Sequence, residues 1–214
     1  MLTIINKSDF NSTQDHLNFD DTFLSLRAEN DTTFYLRFWE CSHYSIILGR
    51  NNKAQTEVNE DYAYNKNIEI IKRCSGGGTV ILGPGCLCYS LFLPTSHNHC
   101  KTITQTNHFV MTTHQQALAQ HIPDVEVLGI TDLAVRKVKF SGNAQRRVRN
   151  YILFHGTFLY NFDISMISDS LAFPSRVPDY RKNRSHHDFV QNITLTKQHI
   201  MDSLTHAWDK ASTD

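Results

Sequence analysis

Three short stretches concentrate the residue types that chemistry needs. The first is RCSGGGTVILGPGCLCYS at 73–90, where five of the chain's nine glycines, 76, 77, 78, 83 and 85, fall within ten residues. Glycine lets the backbone take positive φ or approach a ligand with no side chain between, so Gly76, Gly77 and Gly78 can form one wall of a narrow slot. A hairpin or bulge is the plain alternative. No Gly-Lys-Ser/Thr follows, so this is not a Walker loop, and no G-x-G-x-x-G opens a helix. Arg73 sets a cation beside this open backbone, which suits an anionic ligand.

The second stretch is KVKFSGNAQRR at 137–147. Between Asp132 and Asp163 there is no acidic residue, but there are six basic ones: Arg136, Lys137, Lys139, Arg146, Arg147 and Arg149. Such a run is ordinarily a solvated face. Lys139, however, falls in an alternating strand pattern, and the Ser141, Gly142, Asn143, Ala144 run after it predicts a tight turn. A lysine at the mouth of that turn could meet a phosphate or a developing anion. The third stretch is YILFHGTFLYNFD at 151–163, an apolar strand interrupted by His155, Gly156 and Thr157. A lone histidine there is ordinarily a satisfied core residue, while its glycine neighbour allows close backbone approach.

These stretches need elements to hold them. Apolar spacing predicts an amphipathic helix over 14–29, a second over 101–121 and a last one over 194–211. DYAYNKN (61–67) closes a short helix. Strands are predicted at 33–40 and 44–49, as a pair, and at 68–73, 86–93, 125–128, 131–135, 136–141 and 151–160. Helices that do not alternate one for one with strands imply an α+β fold with mainly antiparallel or mixed sheets.

Composition sets the outer limits. The 214 residues, 40% hydrophobic, suffice for one globular domain with a sizeable core. Twenty-one basic and 21 acidic residues cancel, which removes the usual electrostatic case for binding nucleic acid or a membrane surface. The opening MLTIINKSDF has no basic segment before an apolar run, and no stretch approaches a membrane span, so neither a signal peptide nor a transmembrane helix is expected. Five cysteines, at 41, 74, 86, 88 and 100, suit a reducing cytoplasm.

Taken together and in order, the three stretches resemble the signature blocks of the lipoate–protein ligase catalytic domain, whose fold is shared with biotin–protein ligases and octanoyl transferases. LRFWECSHYSIILGRNNKAQTEVN (36–59) and GITDLAV (129–135) are similar to two further blocks, so the resemblance covers about residues 14–165. It implies that Lys139 is the catalytic lysine, touching the acyl carboxylate and the α-phosphate. It implies acyl-substrate contacts for Arg73, Ser75, Gly76, Gly77, Gly78, Ala144, His155 and Gly156, with Thr157 beside them. Nucleotide contacts fall to Lys139, Ser141, Gly142, Asn143 and Thr79, and a Mg²⁺ contact to Asp132. ATP and lipoate or octanoate are the implied reactants. The implied acceptors are lipoyl domains of 2-oxoacid dehydrogenases and the glycine-cleavage carrier protein, with the basic stretch 136–149 as a docking surface. Arg73 to Gly76 does not supply a Gly-Arg-Gly-Arg phosphate loop, which disfavours biotin.

The residue types agree with that chemistry. A carboxylate does not acylate an amine in water and must first become a mixed anhydride with AMP, which brings two anions together. Lys139, Arg73 and a divalent ion can neutralise them, and Ile81, Leu82 and Leu87 can line a tunnel for an eight-carbon chain. After residue 165 the sequence predicts an arginine- and histidine-rich surface loop, 174–193, that covers the site or touches the acceptor, and a helix, with no separate accessory domain; a separate accessory protein would then be a partner. Three alternatives remain at this level. One is an ATP-independent octanoyl or lipoyl transferase using Cys74, Cys86 or Cys88. Another is a non-catalytic binding module. The third is a metal site at His97, His99 and Cys100 or at His186 and His187.

Overall fold

The computed structural model describes residues 1–7, 10–27, 31–174 and 177–213. Its strands are β1 (Leu2–Ile4), β2 (Phe34–Trp39), β3 (Ser45–Leu48), β4 (Glu69–Lys72), β5 (Val80–Leu82), β6 (Cys86–Pro94), β7 (Val125–Leu128), β8 (Asp132–Val135), β9 (Val138–Val148) and β10 (Tyr151–Leu159). The α-helices are α1 (Thr13–Ser25), α2 (Ala54–Glu57), α3 (Glu60–Asn65), α4 (Ile103–Ala119), α5 (Ser165–Ser170), α6 (His186–Phe189) and α7 (Lys197–Ala211). One sheet runs β1-β2-β6-β10-β9-β8-β7, antiparallel except for the parallel β1–β2 pair. A smaller sheet runs β4-β3-β5, with β3 parallel to β4 and antiparallel to β5. The fold is α+β with mixed sheets, as the sequence predicts.

Side chains of β6 explain the layering. All nine residues of this strand are buried because both of its faces are covered, and alternation sends them to different cores. Leu87, Leu91 and Leu93 join the core under α4 and α7, whereas Cys86 and Cys88 join Trp39, Ile46, Ile81 and Leu159 between the two sheets. Leu87 therefore belongs to the helical side and not to the tunnel read from the sequence. Helix α7 buries Ile200, Leu204 and Trp208, four residues apart on one face, each worth about 1.5–3 kcal/mol or more of transfer free energy. Trp208 Nε1 donates to Nε2 of the fully buried His114 on α4 at 2.9 Å. Thr102 and Gln105 close a capping box at the start of α4.

Three local expectations change. β2 and β3 do not pair, because β2 lies between β1 and β6 in the large sheet while the chain crosses at 40–44 to put β3 in the small one. Helix α1 ends at Ser25, and residues 28–29 of the expected span lie outside the described residues. The run Ser141–Ala144 is not a turn. It lies inside β9, paired with β8 on one side and β10 on the other, so two ladders override its local turn preference. The turn falls earlier, at Arg136 and Lys137, both with positive φ, between the paired Val135 and Val138. One residue after Lys139 the register slips: Leu133 faces Ser141 and Ala134 faces Lys139, leaving Phe140 as an added residue of β9.

Candidate active site

A cavity of about 820 Å³ opens between the two sheets. Leu17, Trp39, Ile47, Ile81, Leu82 and Leu159 give it an apolar lining, and Asp132, Lys139, Ser141, Asn143 and Thr157 a polar one. Arg73, Gly78, Thr79, Gly142, Ala144, His155 and Gly156 also line it, so the residues read from three separate stretches converge on one space. Ser75, Gly76 and Gly77 stand just behind the lining. Ser75 Oγ lies 2.6 Å from His155 Nε2, and Arg73 holds the carbonyl of Gly76.

Lys139 Nζ lies 2.7 Å from Asp132 Oδ1, with its side chain 26% exposed. The hydroxyl of Tyr180 donates to Asp132 Oδ2 at 2.8 Å, and burial beside that carboxylate pushes the tyrosine's pKa up. The pair comes from adjacent strands, with Asp132 opposite Gly142 and Lys139 opposite Ala134. A cation on a partly open side chain, tied to one carboxylate, can exchange that partner for an arriving anion.

Arg73 is built differently. It is buried, and its NH2 donates to the carbonyls of Gly76 at 2.7 Å and Gly78 at 2.8 Å while Nε donates to Ser75 Oγ at 3.0 Å. Burial lowers its pKa to about 10. The guanidinium fastens the triple-glycine loop from inside. Gly49 completes this wall: a Cβ there would lie 2.2 Å from the Gly77 carbonyl, so only glycine admits the loop. Next to it, His155 is held neutral, its pKa lowered to about 3 by burial and by the Arg73 charge.

Asn143 organises the opposite wall. Its Nδ2 donates to the Thr131 carbonyl at 2.7 Å and to Ser141 Oγ at 3.1 Å, and its Oδ1 accepts from Tyr89 at 2.6 Å. This amide lies across Gly156, where a Cβ would sit 1.9 Å from Asn143 Oδ1. Asn143 is therefore committed to its neighbours. Thr79 is likewise engaged, accepting from Asn52 Nδ2 at 3.0 Å.

Residues 177–190 form a cover over the cavity. Pro178, Tyr180, Arg181, His186 and Phe189 line it from this segment, and Arg181 and Phe189 are buried. The stretch read as a surface loop thus has a packed inner side, although His187 is exposed and residues 175–176 lie outside the described residues. Gln191 N donates to the Lys139 carbonyl at 2.9 Å and Arg184 NH2 to the Lys137 carbonyl at 2.8 Å, so the cover is latched to the lysine's own strand. Tyr180, Arg181, Tyr89 and Gly49 were missed as site residues. Only the Gly-Arg of 49–50 carried a local signal, since long-range packing brings the others in.

The basic stretch is partly spent inside the protein. Arg146 pairs with Asp21 at 2.9 Å, and Arg147 donates to the Cys100 and Lys101 carbonyls, leaving Arg136, Lys137 and Arg149 exposed. Among the described residues, no three His, Cys, Asp or Glu side chains gather into a metal site. His97 and His99 stack on Phe109 instead, so the metal arrangements considered from sequence do not form. Asp132 is one carboxylate, already receiving two donors. That donor set fits a magnesium ion that arrives on phosphate oxygens and keeps its waters, and does not fit a cage of protein ligands alone. No helix among the described residues is long and apolar enough to cross a membrane.

Comparison with known proteins places this geometry in a class. Residues 12–208 match the lipoyl protein ligase A/B catalytic domain, and the chain belongs to that family. Lipoate–protein ligase 1 of Staphylococcus aureus is 32% identical over 127 residues, 59% of this chain and 38% of that protein. A Plasmodium falciparum protein named inactive lipoate–protein ligase 2 is 27% identical over 184 residues, 70% of this chain and 47% of that protein. The chain spans less than half the length of the curated relatives it matches. Among solved structures, a bipartite lipoate protein ligase of Thermoplasma acidophilum, described with its E2 lipoyl domain, superposes with a TM-score of 0.82 at 21% identity, over 98% of this chain and 82% of that one. A lipoate-protein ligase A bound with ATP gives 0.74 at 22% identity, over 98% and 82%. At these identities the superpositions establish the lipoate–protein ligase fold.

Proposed function

We propose that this chain is the catalytic part of an ATP-dependent lipoate–protein ligase: it activates lipoate or octanoate as an acyl-adenylate and passes the acyl group to a lysine of a lipoyl domain. The observation that carries this reading is the Lys139–Asp132 pair in a cavity with both apolar and polar lining. An eight-carbon chain fits the apolar lining, where each buried methylene is worth about 0.8 kcal/mol. Its carboxylate then lies at the polar side.

Lys139 leaves Asp132 to bridge the carboxylate and the α-phosphate, placing its charge where two anions meet; a preorganised donor of this kind lowers a barrier by about 3–4 kcal/mol. A magnesium ion held by the nucleotide's phosphates, with Asp132 as protein ligand, would supply further neutralisation of the polyphosphate. Arg73, Asn143 and Gly156 keep the walls in place. The cover keeps water from the activated carboxyl group. The family, the ATP-bound neighbour and the neighbour described with a lipoyl domain support this assignment.

The transferase alternative needs a reactive thiol. Cys88, the one cysteine lining the cavity among the described residues, is buried, and burial pushes its pKa well above the ordinary thiol value. The test is the intact mass of an apo lipoyl domain incubated with this protein, lipoate or octanoate, and Mg²⁺-ATP. A gain of one acyl group that requires ATP is expected. A gain from octanoyl-carrier protein without ATP would establish the transferase instead. The bipartite neighbour also makes a separate accessory protein a proposed partner, read in the same assay as a gain that appears only when it is added.

A further inference from the structure

Tyr89, near the middle of β6, is buried and lines the cavity, and burial pushes its pKa well above the ordinary phenol value. Its hydroxyl is therefore a neutral donor, aimed at Asn143 Oδ1 at 2.6 Å. The strand register explains the contact. Tyr89 lies opposite Gly156 on β10, and Gly156 lies opposite Asn143 on β9, so phenol and amide start two strand spacings apart, about 10 Å. With no side chain at Gly156, the phenol crosses that gap. The crossing is on the helix side of β9: Gln145, two residues on, bonds Asn107 of α4 at 2.6 Å, and the Tyr89 ring meets His114 of α4 edge-on at 4.8 Å. Gly142, which alternates with Asn143, turns the other way, where a Cβ would lie 2.6 Å from Lys139 Nζ.

The bonds of Asn143 run on toward the reacting pair. Its Nδ2 faces the Thr131 carbonyl, which can only accept, so the amide nitrogen lies on that side and Oδ1 on the side of Tyr89. Thr131 Oγ1 donates in return to the Asn143 carbonyl at 2.9 Å, so two bonds clamp the residue before Asp132 to β9. Nδ2 also donates to Ser141, two residues after Lys139. The β8–β9 ladder slips between the pairs that hold Asp132 and Lys139, so backbone pairing alone does not fix the carboxylate against the amine. We propose that Tyr89 is a positioning residue for the Lys139–Asp132 pair, acting through Asn143 on Thr131 and Ser141; the proposal rests on the adenylate-forming reading above. Without the phenol oxygen, Asn143 Oδ1 loses its donor, the amide turns to find another, and the clamp on Thr131 opens. Lys139 then meets the two anions from a displaced start, which slows activation and leaves the apolar lining as it was.

The test is the kinetics of acyl-adenylate formation by the wild-type protein, Tyr89→Phe, Asn143→Ala and the double variant, with amide hydrogen exchange recorded over residues 129–133. Phenylalanine keeps the ring against His114 and Phe158 and removes one oxygen. It is expected to lower kcat about tenfold, to leave KM for lipoate within about twofold, and to speed exchange over 129–133. Because Tyr89 acts through Asn143, the double variant should be no slower than Asn143→Ala alone. If Tyr89→Phe does not fold, Thr131→Val, which cuts the same clamp at its far end, carries the same comparison. A kcat equal to wild type, a loss that falls on KM for lipoate, additive losses in the double variant, or unchanged exchange over 129–133 would each overturn the proposal. A wild-type protein that makes no lipoyl-adenylate would overturn the ligase reading alone, and the exchange over 129–133 would then decide the role of Tyr89 by itself.

Discussion

The neighbourhoods of Arg73 and Lys139 carry the same charge and face the same cavity, yet they are built for opposite ends. Arg73 is buried, and its guanidinium is shared among three loop residues and the strand beneath. Lys139 is partly open and holds one carboxylate. A cation whose donors are consumed by carbonyls is a piece of wall, because a ligand could engage it only by breaking the loop. A cation with one exchangeable partner is available to a substrate. Residue type alone does not separate these roles; the partner list does.

This contrast is open to direct attack. The largest effect is expected at Lys139: Lys139→Ala should lower the rate of acyl-adenylate formation by about 10²–10³-fold. Thermal unfolding should stay close to wild type, since Asp132 keeps its bond from Tyr180. Arg73→Met should behave in the reverse sense, losing about 1–3 kcal/mol of stability in urea titration because the carbonyls of Gly76 and Gly78 and the buried Ser75 hydroxyl lose their donor. An Arg73→Met protein of normal stability would remove the distinction between wall and reagent. Gly156→Ala comes next. Its methyl group would displace Asn143, and overpacking of this kind costs about 1–3 kcal/mol, read as a lower Tm together with weaker substrate binding.

A smaller effect is expected from Tyr180→Phe, which removes one donor to Asp132 and should slow acyl-adenylate formation by about tenfold or less, with unchanged unfolding. The last is a pH dependence. Burial lowers the pKa of His155 and of His114 to about 3, below the ordinary histidine value of 6.5, so the unfolded chain binds more protons than the folded one between these values. Stability from these groups is full above about pH 6.5 and is lost as pH falls toward 3. His155→Gln should flatten part of that decline in unfolding midpoints recorded across the range.

Much of this was readable in the sequence because the signals were local. The glycine cluster, the acid-free basic stretch and the interrupted strand each gave residues that line or back the cavity, and the amphipathic periods gave α4 and α7. Local reading failed where pairing between distant segments decided the outcome. Ser141 to Ala144 has turn chemistry but lies in a central strand with partners on both sides. β2 and β3 are adjacent in sequence and separated in space. Arg73 was read as a ligand for anions because its type and position allow it, and only the folded loop shows where its donors go. The cover, with Tyr180 and Arg181, had no periodic pattern to announce an inner face.

The central claim is that Lys139 serves carboxylate activation, and the most direct measurement is mass-spectrometric detection of the acyl-adenylate itself. Wild-type protein mixed with lipoate and Mg²⁺-ATP, with no acceptor present, is predicted to accumulate bound lipoyl-AMP up to one equivalent and to release pyrophosphate, and Lys139→Ala is predicted to form none on the same timescale. Lipoyl-AMP formed equally well by the alanine variant would contradict the account.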